Sequence, residues 1–461
     1  EYQDKLRAAY VMASFSERGT LIKEQVTAEG KKLGGEAVIS DDLLDEVTAL
    51  NEWPVALAGS FDEDFLRVPP EALVSSMKEH QKYFHVMKDG KLLPNFITIA
   101  NIAFFWDTDR KNPLASRFPK LENVVWVNGL GSTADKTRRI SVLASKIAEH
   151  IGADVALVQR AAHLCKNDLV SNMVTEFTDL QGLAGKYYAE HDGEPADVAA
   201  AMVEQYMPAF AGDALPATQT GTLIALADRL DSLVGLFGTG QLPTGSKDPF
   251  ALRRASLGVL RLLVEKQINI DLGDLIDWAL ANEWATELRA DTKATLTEYM
   301  LDRFSAWYQD ENIPTGVFQS VRALGVTNAL DINRRVQAVF TFGKLEAAQA
   351  LAAANKRVSN ILAKNGGENV EAKVNAELLQ QAEEKALAEQ VAAKKAVVEP
   401  LLANGDYSAA LTELAGLREV VDAFFDNVMV IADDEAVKNN RLALLKQLSG
   451  LFMAIADISV L

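Results

Sequence analysis

From Ala134 to Leu461 apolar residues recur at helical spacing almost without a break, which limits most of this chain to packed helices. Pro208, Pro216 and Pro243 punctuate the helices up to about Asn269, and Asp271 to Asn282 reads as a connector helix. The last block is rich in alanine and leucine, with Asn365-Gly366-Gly367 and Asn404-Gly405-Asp406 as its turns; the run from Leu345 to Ala354 reads as a close-packed helix rather than low complexity. The start of the chain differs. A mixed-charge helical stretch ends at Gly34-Gly35, and Ser40-Asp41-Asp42 caps a second helix through Leu50. Between Pro54 and about Val127, Tyr83-Phe-His-Val86 and the β-rich Asn95-Phe-Ile-Thr-Ile-Ala100 flank Asp89-Gly90, a hairpin signal, so a small α+β unit is expected there.

At 461 residues the chain exceeds one core and divides into several domains. Lys plus Arg number 46 against 64 Asp plus Glu, a net charge of -18 that repels nucleic acid at long range, so RNA binding has to rest on local basic patches. The single cysteine, Cys165, allows neither an internal disulfide nor a multi-cysteine zinc site and suits a reducing compartment; a cytoplasmic location is expected, and no apolar run approaches a membrane span.

The stretch from Gly238 to Arg254 combines a glycine-rich loop, a helix start and basic residues. It is not a nucleotide-hydrolysing P-loop, because Ser246 precedes Lys247 where the motif needs Lys and then Ser or Thr. Asp248 suits an N-cap and Pro249 the first helical position; Arg253 and Arg254 then lie one turn inside, and Arg261 lies about two turns beyond Arg254 on the same side. That face can hold a phosphodiester backbone, and the same pattern also suits a solvated charged face.

Six segments in order, Val68 to Lys78, Gln81 to Phe84, Gly90 to Phe96, Asp179 to Gly182, Pro243 to Arg254 and Ala354 to Leu362, resemble the β subunit of bacterial heterotetrameric glycyl-tRNA synthetase. The chain opens without Met inside a helical stretch, so an N-terminally truncated member is expected. Asn101-Ile102 runs directly into Ala103 where the family carries a longer basic segment, so a missing loop is expected there.

The resemblance implies a mainly α, multidomain fold: a helical N-terminal segment (1–53), a small α+β, editing-domain-like unit (54–133), an HD-like helical domain (134–270), a connector (271–291) and a helical anticodon-binding-like domain (292–461). It implies a tRNA-binding subunit that positions tRNA-Gly for ATP-dependent glycylation in a separate α subunit of an α2β2 assembly, with ATP and Mg used by that subunit, no cofactor or metal bound by this chain, and no catalytic residue in it. Lys247, Arg253, Arg254 and Arg261 are the expected acceptor-arm contacts; Arg334, Arg335, Lys356, Arg357, Asn360 and Arg441 are the expected anticodon contacts. Several of these also suit helix packing or capping: Arg357 and Asn360 are one turn apart.

HD hydrolases hold divalent ions through a His-Asp pair and further His and Asp ligands. Here Lys166-Asn167-Asp168 stands at the dipeptide and Asp228 at the closing aspartate, which points to a retired scaffold. The literal pair His191-Asp192 precedes Gly193 in what reads as a loop. A metal-dependent HD phosphohydrolase and a non-catalytic helical scaffold remain the alternatives. His150-Ile151-Gly152-Ala153 imitates a class I synthetase signature but reads as a helix end closed by Gly152. All five histidines lie before residue 192, so the C-terminal half is expected to bind rather than catalyse. Trp307 and Tyr308 read as core or boundary aromatics, and Lys78, Lys82 and Lys91 as weak RNA-positioning candidates.

Overall fold

The computed structural model describes residues 2–100 and 102–461, with the side chains of 102–104 and 368 also outside the description. The expected missing loop adjoins Asn101 and so lies outside the described residues. The chain forms two units, one of residues 1–120 and 166–194, the other of 121–165 and 195–461.

The first unit carries a four-stranded antiparallel sheet in the order β1 (Glu36–Ala37), β3 (Phe84–Lys88), β4 (Lys91–Ala100), β2 (Val55–Ser60). Lys88 pairs with Lys91 across Asp89 (φ 50°) and Gly90 (φ 74°), two left-handed residues whose twist matches that of the strands they join. Alternate residues Phe84, Val86, Ile97 and Ile99 point to one face. Helix α1 (Phe15–Lys32) supplies Ile22 and Val26 and helix α2 (Asp41–Leu50) supplies Leu43 and Val47, each pair four residues apart, to the same core. Residues 1–53 therefore share their core with the strands, and the structure does not divide the chain at 53/54. Residues 166–194, expected in the HD-like domain, also belong to this unit.

The second unit is helical throughout its long elements: α3 (Thr133–Ile151), α4 (Gln219–Gly238), α5 (Leu252–Glu265), α6 (Thr292–Asp310), α7 (Ala329–Phe342), α8 (Glu346–Lys364), α9 (Ala382–Ala403), α10 (Arg418–Asn427) and α11 (Glu435–Met453). Gly152, at φ 72°, closes α3 and donates to the carbonyls of Ala148 and Glu149, so the His150 to Ala153 sequence is a helix end. Helix α4 is buried along most of its length. It meets α3 through a charged tie: Asp231 accepts from Arg139 Nε (2.7 Å), while Lys136 Nζ lies 3.1 Å from Asp231 and 2.8 Å from Asp228. Helices α5 and α6 pack on α4 and on each other; α8 packs against α10 and α11.

Candidate nucleic-acid interfaces

The loop before α5 is a closed turn in which Thr244 and Lys247 exchange backbone hydrogen bonds of 3.0 and 2.8 Å. The helix starts later than Pro249, because Ala251 takes a left-handed conformation (φ 53°) and regular helix begins at Leu252. Asp248 still caps it: its carboxylate accepts from Leu252 N (2.8 Å) and Arg253 N (3.0 Å). That carboxylate occupies the place where an incoming anion would meet the helix N-terminus, so any phosphate here has to be held by side chains.

Those side chains line a cavity of about 520 Å³ between α5 and α6, where Arg253, Arg254 and Arg261 meet Arg303 and Trp307 of α6. Their commitments differ. Arg261 donates to Glu265 (2.7 Å) and to the Asp213 carbonyl (2.9 Å), and Arg253 donates to the Gly245 carbonyl. Arg254 is exposed and forms no hydrogen bond or ion pair among the described residues. The Arg303 guanidinium lies over the Tyr299 ring at 5.1 Å, and its Nε is buried with no hydrogen-bond partner among the described residues. Trp307 is half-buried and donates from Nε1 to Glu311 (2.7 Å), which lines the cavity with Asp310. Lys247 is exposed on the turn and does not line this cavity. Arg303 and Trp307 were not among the expected contacts. Their four-residue spacing on one helix, which places them on one face, is the signal that would have found them.

A second basic surface runs along α8. Lys356, Asn360 and Lys364 recur every four residues, with Arg357 three before Asn360, and the four line an open groove of about 370 Å³. The Arg357 guanidinium lies 4.4 Å above the Phe425 ring of α10, which holds its plane in place without neutralising its charge. Lys364 was missed because it sits at the helix end, next to a turn.

The other expected anticodon contacts are elsewhere. Arg441 is corrected: its side chain is 5% exposed and paired with the fully buried Glu384 (Nε to Oε1, 2.9 Å), and it also donates to the Met429 carbonyl (2.7 Å). A guanidinium so enclosed ties α11 to α9 and is withheld from RNA. Arg335 is likewise committed, to Asp331 (2.8 Å) and to the carbonyls of Ala454 and Ile455 (2.8 and 2.9 Å), with its guanidinium over Tyr407. Arg334 is exposed, donates to Gln267 (3.2 Å) and lines a different cavity with Asn269 and Tyr407.

The degenerate HD positions do structural work. Lys166 and Asp168 belong to the first unit and Asp228 to the second. Asp168 accepts from the backbone N–H of Gly182 (2.6 Å) and Gly185 (3.2 Å), and burial raises its pKa above the usual aspartate value. Asp192 accepts from Leu114 N (2.6 Å), and Arg110 lies 3.1 Å from His191 Nδ1. Among the described residues no three His, Cys, Asp or Glu side chains gather as a metal site, and no helix is long and apolar enough to cross a membrane. Lys82 pairs with Glu46 at 2.8 Å.

Comparison with known proteins adds two family matches. Residues 1–103 and 103–323 match the model described as glycyl-tRNA synthetase beta subunit, and residues 351–458 match the DALR anticodon binding domain. Among curated proteins, the glycine-tRNA ligase beta subunit of Marinobacter nauticus is 54% identical over 477 positions, covering 98% of this chain and 69% of that protein. The proteins of the same name from Pseudoalteromonas translucida and Chromohalobacter salexigens are each 50% identical, over 99% and 100% of this chain and 70% of their own lengths. The first alignment spans more positions than the chain has residues, so it opens gaps in this chain, and the family match is itself divided at residue 103. The groove on α8 lies inside the DALR match, whereas the α5/α6 cavity lies inside the beta-subunit match.

Proposed function

We propose a role that starts from one fact: this chain belongs to the glycyl-tRNA synthetase β-subunit family. It is the tRNA-binding component of a glycine-tRNA ligase whose adenylate chemistry, with ATP and Mg, resides in an α subunit, within an α2β2 assembly of the cytoplasm. The observation that carries the reading is the groove of Lys356, Arg357, Asn360 and Lys364 inside the anticodon-binding match. Unpaired anticodon bases are read by stacking on flat groups and by hydrogen bonds to their edges; a guanidinium held over Phe425 offers the first and Asn360 the second. The acceptor arm is held about α5, where Arg254 and Arg253, with Lys247 on the adjoining turn, meet phosphates. Holding both ends of the tRNA fixes its 3′ terminus relative to the partner's active site, a contribution through positioning.

An HD phosphohydrolase is not favoured, because Asp168 is spent on backbone N–H groups and Asp228 on Lys136. Binding of the purified chain to tRNA-Gly and to the same tRNA with an altered anticodon, across a salt series, tests the proposal. Tighter binding to tRNA-Gly with a steep negative salt slope is expected. Weak binding that ignores the anticodon overturns the anticodon assignment.

A further inference from the structure

The α5/α6 cavity has more than a phosphodiester backbone needs. In a chain of net charge -18, Arg254 and Arg303 approach one cavity with no carboxylate paired to either among the described residues. Two such guanidiniums suit an anion. The same cavity holds the half-buried Trp307 indole, stacked on Phe304 (ring centroids 5.6 Å) and bonded to Glu311 (2.7 Å), which offers fixed apolar surface to a flat group. The carboxylates of Asp310 and Glu311, which only accept hydrogen bonds when ionised, line it too. They repel a phosphate and suit an amino group. About 520 Å³ is the size of a pocket for one small ligand; a duplex can only cross its rim, while an unstacked nucleotide can enter.

We propose that this cleft takes one of the unpaired nucleotides that follow the acceptor stem, short of the 3′-terminal one that goes to the α subunit, with its phosphate on Arg254 and Arg303 and an amino-bearing base, adenine or cytosine, against Trp307 and its edge toward Asp310 and Glu311. This rests on the acceptor-arm reading above. It makes Arg303 and Trp307 binding residues in addition to those on α5.

The test uses the full chain and three RNA hairpins of the acceptor arm: blunt, with a single-stranded adenosine 3′ overhang, and with a uridine overhang. The adenosine overhang is expected to bind about tenfold tighter than the blunt hairpin, with the uridine overhang between them. Trp307→Leu and Arg303→Ala are expected to remove most of that advantage, weakening the adenosine overhang more than the blunt hairpin, with circular dichroism unchanged. Displacement of the adenosine overhang by millimolar AMP assigns the site to nucleoside phosphates in general. An advantage that survives AMP assigns it to RNA ends. Equal affinity for blunt and overhanging hairpins, or equal weakening of both by Trp307→Leu, overturns the proposal. If the blunt hairpin still binds in a salt-dependent way, the acceptor-arm reading stands without it; if no hairpin binds, both fall.

Discussion

Arg441 on α11 and Arg254 on α5 are the same side chain put to opposite uses. Arg441 is enclosed, and Glu384, far off in sequence on α9, neutralises it. Arg254 lines a cavity and pairs with no carboxylate among the described residues. The comparison teaches that a guanidinium's availability to RNA depends on whether the fold brings a carboxylate beside it. Burying and pairing turns it into a tie; exposure without a pair leaves it available to an incoming anion.

The largest expected effect breaks the enclosed side of this comparison. Arg441→Ala leaves Glu384 buried and charged without its partner and should lower the unfolding free energy by about 3 to 5 kcal/mol, read by urea denaturation. The double change Arg441→Met with Glu384→Leu should recover most of that loss. An Arg441→Ala protein of normal stability that no longer distinguishes anticodons would instead return Arg441 to the readers. Next comes Arg357→Ala, which should leave thermal stability nearly unchanged and cost about 1 to 3 kcal/mol of discrimination between tRNA-Gly and its anticodon variant. Equal weakening toward both tRNAs would remove Arg357 as a reader. Arg254→Ala should weaken binding to both tRNAs alike and make the log-log salt slope shallower by about 1. The smallest effect sharpens the distinction between exposure and availability. Arg418 is partly exposed but lies 3.0 Å from Glu346 and 3.8 Å from Asp422, so Arg418→Ala should change neither stability nor tRNA affinity measurably.

What the sequence made legible was local. The Asp89-Gly90 hairpin, the Gly152 helix end and the turns at Gly366 and Gly405 depend on residues whose backbone preferences travel with them. The stripe of Lys356, Arg357 and Asn360 was legible because helical period alone puts them on one face. Where a partner comes from a distant element, sequence reading failed. Nothing near Arg441 announces Glu384, and nothing near Arg335 announces the carbonyls of Ala454 and Ile455. Sequence alone starts the helix after Asp248 three residues early, because proline suits a first turn and nothing in the sequence announces a left-handed alanine at 251. Trp307, read as a core or boundary aromatic, is half-buried and stacked on Phe304 as that reading has it; hydrophobic periodicity alone does not show that it also lines a cavity.

The division of the chain also bears on how the protein is made. It passes from one unit to the other after Lys120, again after Cys165 and again after Glu194. A ribosome delivers residues in order, so the sheet-bearing unit lacks its last piece until Glu194 has emerged, and by then residues 121–165 of the helical unit are already outside. The first of these helices to appear, α3, can pack on the short helix Val155–Leu164 that follows it, but its face toward α4 stays uncovered until the helices after residue 194 emerge. A stop or a cut after Lys120 or Cys165 leaves both units incomplete, and one after Glu194 separates residues 121–165 from the rest of the helical unit, so neither unit can be obtained as a single uninterrupted stretch of this chain.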